Sequence, residues 1–232
     1  GGGDLYYNYQ WQSSADGLVW NDIIGQITPE LSLENLTASS NYRLSVRSGE
    51  WDCGPKFTNI IFIEVYDALD VGVLSTQSPI CFNTTPSTIQ FDTPSSGVNG
   101  EYSYAWESNN GTGWDVIGNT GNSFQDSELT NSTSYRVLVT SNYGCGAEYT
   151  PVETVTVYEQ LQAGSISGDD VICYNELPNI FEEVSSATGG DSNYSYSWNS
   201  SSNGADWEIV NGANSITYQT QLLYNTTLFP IL

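Results

Sequence analysis

The chain has 232 residues, no histidine, and 27 acidic residues against four basic ones, Arg43, Arg47, Lys56 and Arg136, for a formal charge of -23. That excess repels phosphate backbones and anionic headgroups, which excludes nucleic acid as a partner and disfavours anionic membrane surfaces. Without histidine no Ser-His-Asp or Cys-His arrangement and no zinc-type ligand spacing can be assembled. No nucleotide-binding glycine loop follows a strand either, so the chain is expected to be no enzyme, with no catalytic residues.

A composition rich in Gly, Ser, Thr, Asn and Tyr, with 13% aromatic and only 13% charged residues, favours strands over helices. The N-terminal Gly1-Gly2-Gly3-Asp4 has neither the basic region nor the apolar run of a signal peptide, and no segment approaches the ~20 apolar residues of a bilayer span. Any export signal is therefore expected outside this window, and direct membrane insertion is not expected.

The first predicted strand contains Tyr7-Asn8-Tyr9-Gln10-Trp11. It recurs as Tyr102-Ser103-Tyr104-Ala105-Trp106 and as Tyr194-Ser195-Tyr196-Ser197-Trp198, 95 and then 92 residues on. Aromatics at every second position share one strand face, which assigns Trp11, Trp106 and Trp198 to a core. A second tryptophan follows in each copy, Trp20, Trp114 and Trp207. These are expected to be half exposed and are the candidates for an aromatic surface that stacks on sugars. Next come Leu36-Thr37 leading to Tyr42-Arg43, Leu129-Thr130 leading to Tyr135-Arg136, and Asn225-Thr226-Thr227 leading to Phe229, where Pro230 stands in the arginine's place and is unfavourable in a paired strand. Tyr135, Val137 and Val139 are predicted on one face of this strand, with Arg136 and Leu138 on the other. Arg43 and Arg136 should pair with carboxylates or stack on a tyrosine. Residues 152–158 read as a closing strand.

The connecting segments repeat too: Val65-Tyr66-Asp67-Ala68-Leu69 with Gly72 corresponds to Val157-Tyr158-Glu159-Gln160-Leu161 with Gly164. This divides the chain into 1–68, a partial repeat lacking its first strands, 69–160, a complete repeat, and 161–232, a partial repeat lacking its last strands. About seven strands per unit predict an all-β fold of tandem immunoglobulin-like Greek-key β-sandwich domains joined end to end. Leu69 and Leu161 are expected to pack between successive units.

Other chemistry is thin. Glu64, Asp67 and Asp70 cluster at one linker and suit calcium, but their counterparts are Thr156, Glu159 and Gln162, so calcium is a minor reading and no other cofactor is expected. Asp169-Asp170 and Glu182-Glu183 are nominal acid pairs for glycoside hydrolysis, and the first pair becomes Gln77-Ser78 in the second unit, as solvated turns would.

The pattern Ile-Cys, Tyr-Ser-Tyr-x-Trp, Trp-x-x-Ile, Tyr-Arg-Val-x-Val-Thr-Ser, Gly-Cys-Gly, Val-Thr-Val resembles the tandem immunoglobulin-like or PKD-like repeats of large Bacteroidota cell-surface adhesins, the type IX secreted, gliding-motility kind. The resemblance implies export, an extracellular, cell-surface location, and a structural and adhesive role as a rigid spacer in a long surface protein or fibre. The partners it implies are neighbouring repeats, other copies in a fibre, or surface glycans. The competing reading is a set of accessory carbohydrate-binding or spacer modules on a secreted hydrolase.

Cys81 and Cys173 share one repeat position, Cys53 and Cys145 another. Pairing is open between Cys81 with Cys145 inside a unit and Cys53 with Cys81 plus Cys145 with Cys173 across junctions. The cross-junction pairs must span a closing strand on the order of 30 Å long, against a ~7 Å limit between Cα atoms. An immunoglobulin-like topology that starts its first strand beside the loop preceding its last favours Cys81 with Cys145, a bridge that needs an oxidising compartment. Lys56 alone cannot supply repeated isopeptide cross-links.

Overall fold

The computed structural model describes residues 7–48, 54–167 and 169–230. Among them every regular element is a strand. The first repeat builds one antiparallel sheet from β1 (Tyr7–Ser14), β2 (Asn21–Asp22), β3 (Ser40–Ser48), β4 (Lys56–Phe57) and β5 (Ile61–Ile63), in the order β2-β1-β3-β4 with β5 also on β3. The long register of β1 on β3 runs from Tyr7 opposite Ser48 to Ser14 opposite Asn41.

The second repeat follows β6 (Asp67–Asp70) and comprises β7 (Val73–Leu74), β8 (Ile89–Thr93), β9 (Ser96–Val98), β10 (Tyr102–Asn109), β11 (Asp115–Val116), β12 (Ser123–Phe124), β13 (Thr133–Ser141), β14 (Ala147–Tyr149) and β15 (Glu153–Val155). Two of its sheets, β11-β10-β13-β14 with β15 on β13, and β12-β8-β7, form a sandwich. The predicted period-two pattern is strict on β13, where Thr133, Tyr135, Val137, Val139 and Ser141 are buried and the residues between them half-buried. With Trp106, Ile89 and Val155 these make the core. The Phe124 ring lies 5.9 Å from Trp106 and 6.0 Å from Tyr135. Both polar edges in this core are satisfied, as burial demands: Trp106 Nε1 donates to the Gly121 carbonyl at 2.8 Å and the Tyr135 hydroxyl to Asp126 at 2.7 Å. Burial, then the Asp126 carboxylate, push the Tyr135 phenol far above its ordinary pKa.

The third repeat contributes β16 (Ser165–Ile166), β17 (Glu183–Ser185), β18 (Asn199–Ser200) and β19 (Glu208–Ile209). Its core is a ring cluster: fully buried Trp198 stacks on Phe181 at 5.7 Å, with Tyr218 and Phe229 closing around them. Pro230 is accommodated because its carbonyl alone is used, accepting from the Asn199 N–H at 3.2 Å.

Three sequence expectations need correction. Trp11 is half-buried, with Nε1 donating to the Thr28 carbonyl at 3.1 Å, and so sits at the margin of a core. The closing strand expected over residues 152–158 is regular only over β15 (Glu153–Val155), and in the first two repeats a threonine separates the last two strands: the Thr150 hydroxyl accepts the Val137 N–H at 3.0 Å between β14 and β15, and the Thr58 hydroxyl accepts the Leu44 N–H at 3.0 Å between β4 and β5. The bridge between Cys81 and Cys145 is absent, since Cys81, Cys145 and Cys173 are free, exposed thiols. The cause is where Cys81 falls along the closing strand. Ile80 pairs in parallel with Val157, which carries Cys81 past the C-terminal end of the closing strand, while Cys145 precedes that strand's start. The lone Cys53 lies outside the described residues.

By contacts, the chain resolves into two compact units. One holds Gly1–Asp70, Ser95–Tyr102 and Thr140–Ala147; the other holds Val71–Pro94, Ser103–Val139 and Glu148–Leu232. Segments of the second repeat therefore fall in both.

Candidate functional site

Two constructions recur along the chain. The first is a clasp on the linker. Strand β6 pairs antiparallel with β9, Asp67 opposite Val98 and Asp70 opposite Ser96. At the following junction Gln162 and Thr188 exchange both backbone hydrogen bonds, at 2.8 and 3.0 Å, and the Gly190 N–H donates to the Glu159 carbonyl at 2.8 Å. A glycine makes each approach feasible. Gly97 and Gly189 have φ of +83° and +77°, and a Cβ on them would overlap the carbonyl oxygens of Ala68 and Gln160. The hydroxyl of Tyr102 donates to the Gly97 carbonyl at 2.6 Å, and that of Tyr194 to the Gly189 carbonyl at 2.8 Å. The leading tyrosine of the Tyr-x-Tyr-x-Trp motif thus anchors the clasp loop, while the tryptophan fills the core. Val98, a β-branched residue at φ +46°, holds backbone strain of a kind that costs about 1–3 kcal/mol and persists only where surrounding structure enforces it.

The second construction is an arginine held between aromatic rings on the outer sheet face. The Arg136 guanidinium lies 4.1 Å from the Trp114 ring centre and 3.9 Å from that of Tyr149; Arg43 lies 4.0 Å from Trp20 and 3.9 Å from Phe57. Arg136 also grips Glu107 through Nε at 2.8 Å and Nη2 at 2.7 Å, where Arg43 uses the Gln12 amide oxygen at 2.8 Å. The Tyr149 hydroxyl donates to the other Glu107 oxygen at 3.0 Å, and that carboxylate raises the phenol's pKa. Lysine cannot reproduce a planar group stacked on both faces and forked onto a carboxylate. Arg136→Lys is therefore expected to cost about 1–2 kcal/mol in urea unfolding, and an unchanged midpoint would show that the stack adds nothing.

Residues 1–67, 70–159 and 162–231 each match a family described as a domain of unknown function, DUF8696. The chain belongs to the DUF8696 family. Among solved structures, the three N-terminal domains of the bacteriophage RB49 highly immunogenic outer capsid protein (Hoc) align over 99% of this chain and 77% of that one, at 14% identity and a TM-score of 0.39. No curated protein matches.

Across the DUF8696 copies the sequence-predicted sites fare unequally. Trp20 and Trp114 are half-buried with one ring face covered by arginine, whereas Trp207, in the copy that has Pro230 in place of that arginine, is 44% exposed. The calcium candidates do not converge. Asp67 and Asp70 stand at opposite ends of β6, with a register shift between them, and Glu64 accepts the Tyr66 hydroxyl at 3.0 Å. No group of three metal-ligating side chains gathers among the described residues. Asp170 accepts the Val171 and Asn179 N–H groups, both at 2.9 Å, the work of a turn-capping residue.

Sequence reasoning missed the clasp glycines. Their signal was present in the repeat register itself: Gly97 and Gly189 each stand five residues before the leading tyrosine, 92 residues apart.

Proposed function

We propose that this DUF8696 chain is a non-catalytic spacer segment of a long extracellular surface protein of the Bacteroidota adhesin kind, in which each linker is stiffened by pairing with the repeat that follows. The observation that supports this reading is the repeated clasp, which recruits linker residues 67–70 and 159–162 into β-pairing. Two ordinary flexible linkers would leave those backbone groups to water. The strongly acidic surface keeps neighbouring copies soluble and apart. On this reading the partners are the adjoining repeats and other copies in a fibre, with surface glycans as the adhesive ligand. Nucleic acid, membrane insertion and a bound cofactor have no part in it.

Leu69, half-buried within β6, offers the test. Leu69→Ser is expected to increase interdomain flexibility in small-angle scattering while thermal unfolding of the sandwich cores stays in place. Unchanged flexibility would sink the stiff-linker reading.

A further inference from the structure

We propose that DUF8696 repeats are cross-linked in series, the cysteine at position 81 of one repeat forming a disulfide with the position-145 cysteine of the next. Two junctions, taken in the same repeat register, place the two cysteines together, whether or not the protein is an adhesin.

At the junction after the second repeat, Ile80 and the closing strand exchange backbone hydrogen bonds: the Ile80 N–H donates to Thr156 and the Tyr158 N–H to the Ile80 carbonyl, both at 2.9 Å. Cys81, the next residue, is thereby fixed beside Tyr158, at a cavity of about 780 Å³ that it lines together with Asn193, Tyr194 and Tyr196 of the following repeat. Cys81 is free and exposed.

At the junction before the second repeat, the counterpart of Tyr158 is Tyr66. Tyr66 meets Tyr143, ring centres 5.9 Å apart, in the turn that carries Cys145 two residues on. The same turn is tied down by the Asn142 N–H donating to the Glu101 carbonyl at 3.3 Å. In repeat register Glu101 becomes Asn193, one of the residues lining the cavity with Cys81. Both landmarks of the Cys145 turn, the linker tyrosine and the residue before the motif's first tyrosine, thus coincide with the surroundings of Cys81.

The chemistry is thiol–disulfide exchange with a small-molecule disulfide such as oxidised glutathione. One protein thiolate attacks it and expels a thiol; the second protein thiolate attacks the mixed disulfide and expels another. One S–S bond forms in the protein as one is lost from the oxidant, which leaves as two thiols.

The test uses the full chain with Leu69–Gln160 duplicated in series, all cysteines changed to serine except chosen pairs, refolded with oxidised glutathione and read by thiol titration and non-reducing peptide mapping. Cys81 in the first copy with Cys145 in the second is expected to lose both free thiols. Cys81 and Cys145 in one copy, or Cys145 in the first copy with Cys81 in the second, are expected to stay reduced. A bridge in either of those two arrangements, or free thiols in the first with near-UV dichroism native, overturns the proposal. Should the duplicated chain fail to give a native spectrum, residues 139–158 appended after Leu232 complete the test. The added cysteine must then bridge to Cys81, and its bridging to Cys173 or remaining free sinks the pairing.

Discussion

Trp106→Ala is expected to lower the stability of the second repeat by about 3–5 kcal/mol, the range for truncating a fully buried aromatic. Trp106 is 0% exposed and lies between Phe91 and Phe124, at 6.4 and 5.9 Å, so no neighbour can fold into the space without breaking a second ring contact. Its indole N–H also satisfies the Gly121 carbonyl, which truncation leaves without that donor. For a domain of this size the loss corresponds to a drop in midpoint on the order of 15 °C. Trp11→Ala, at a half-buried position of the same motif, should cost less than half as much. Urea denaturation followed by tyrosine and tryptophan fluorescence measures both, and a Trp106→Ala loss below about 1 kcal/mol would contradict a closed sandwich core.

What the sequence could and could not say divides along physical lines. Alternation of buried and half-buried residues on β13 was legible because side-chain period in a strand is geometric and needs no knowledge of partners. The tandem all-β architecture followed from three copies of one motif. The cysteine pairing failed because it required the register of the first segment along the closing strand, and nothing local encodes that Ile80 meets Val157, near that strand's end, and not its start. A strand rises about 3.3 Å per residue, so an offset of several residues along the closing strand puts Cys81 at the opposite end from Cys145. Spacing alone could not say whether Glu64, Asp67 and Asp70 gather, because the register shift within β6 decides which face each aspartate takes. The arginine's environment was half legible. A lone cation on the polar face had to find rings or carboxylates, but that Trp114 and Tyr149 would cover both its faces depends on a hairpin and a closing strand brought together by folding.

Gly97→Ala is expected to open the linker clasp, and Gly100→Ala is the control that isolates why. Both glycines adopt nearly the same left-handed conformation, φ +83° and +82°, so an added Cβ costs each about 1–2 kcal/mol for backbone conformation alone. Only at Gly97 does the methyl run into another segment, the backbone carbonyl of Ala68; around Gly100 nothing lies within 4 Å. Backbone cannot rotate aside as a flexible side chain can, so β9 must move off β6, and the strained Val98 loses the pairing that holds it. Hydrogen exchange at Asp67–Asp70 should therefore accelerate by roughly 30-fold in Gly97→Ala, the equivalent of about 2 kcal/mol of local opening, with little change in Gly100→Ala. Gly189→Ala should do the same to the amides of Gln162 and Thr188, because its Cβ meets the Gln160 carbonyl. Equal exchange rates in Gly97→Ala and Gly100→Ala would mean that the clasp bears no strain between its strands, and the stiffness attributed to the linker would have to come from side-chain packing alone.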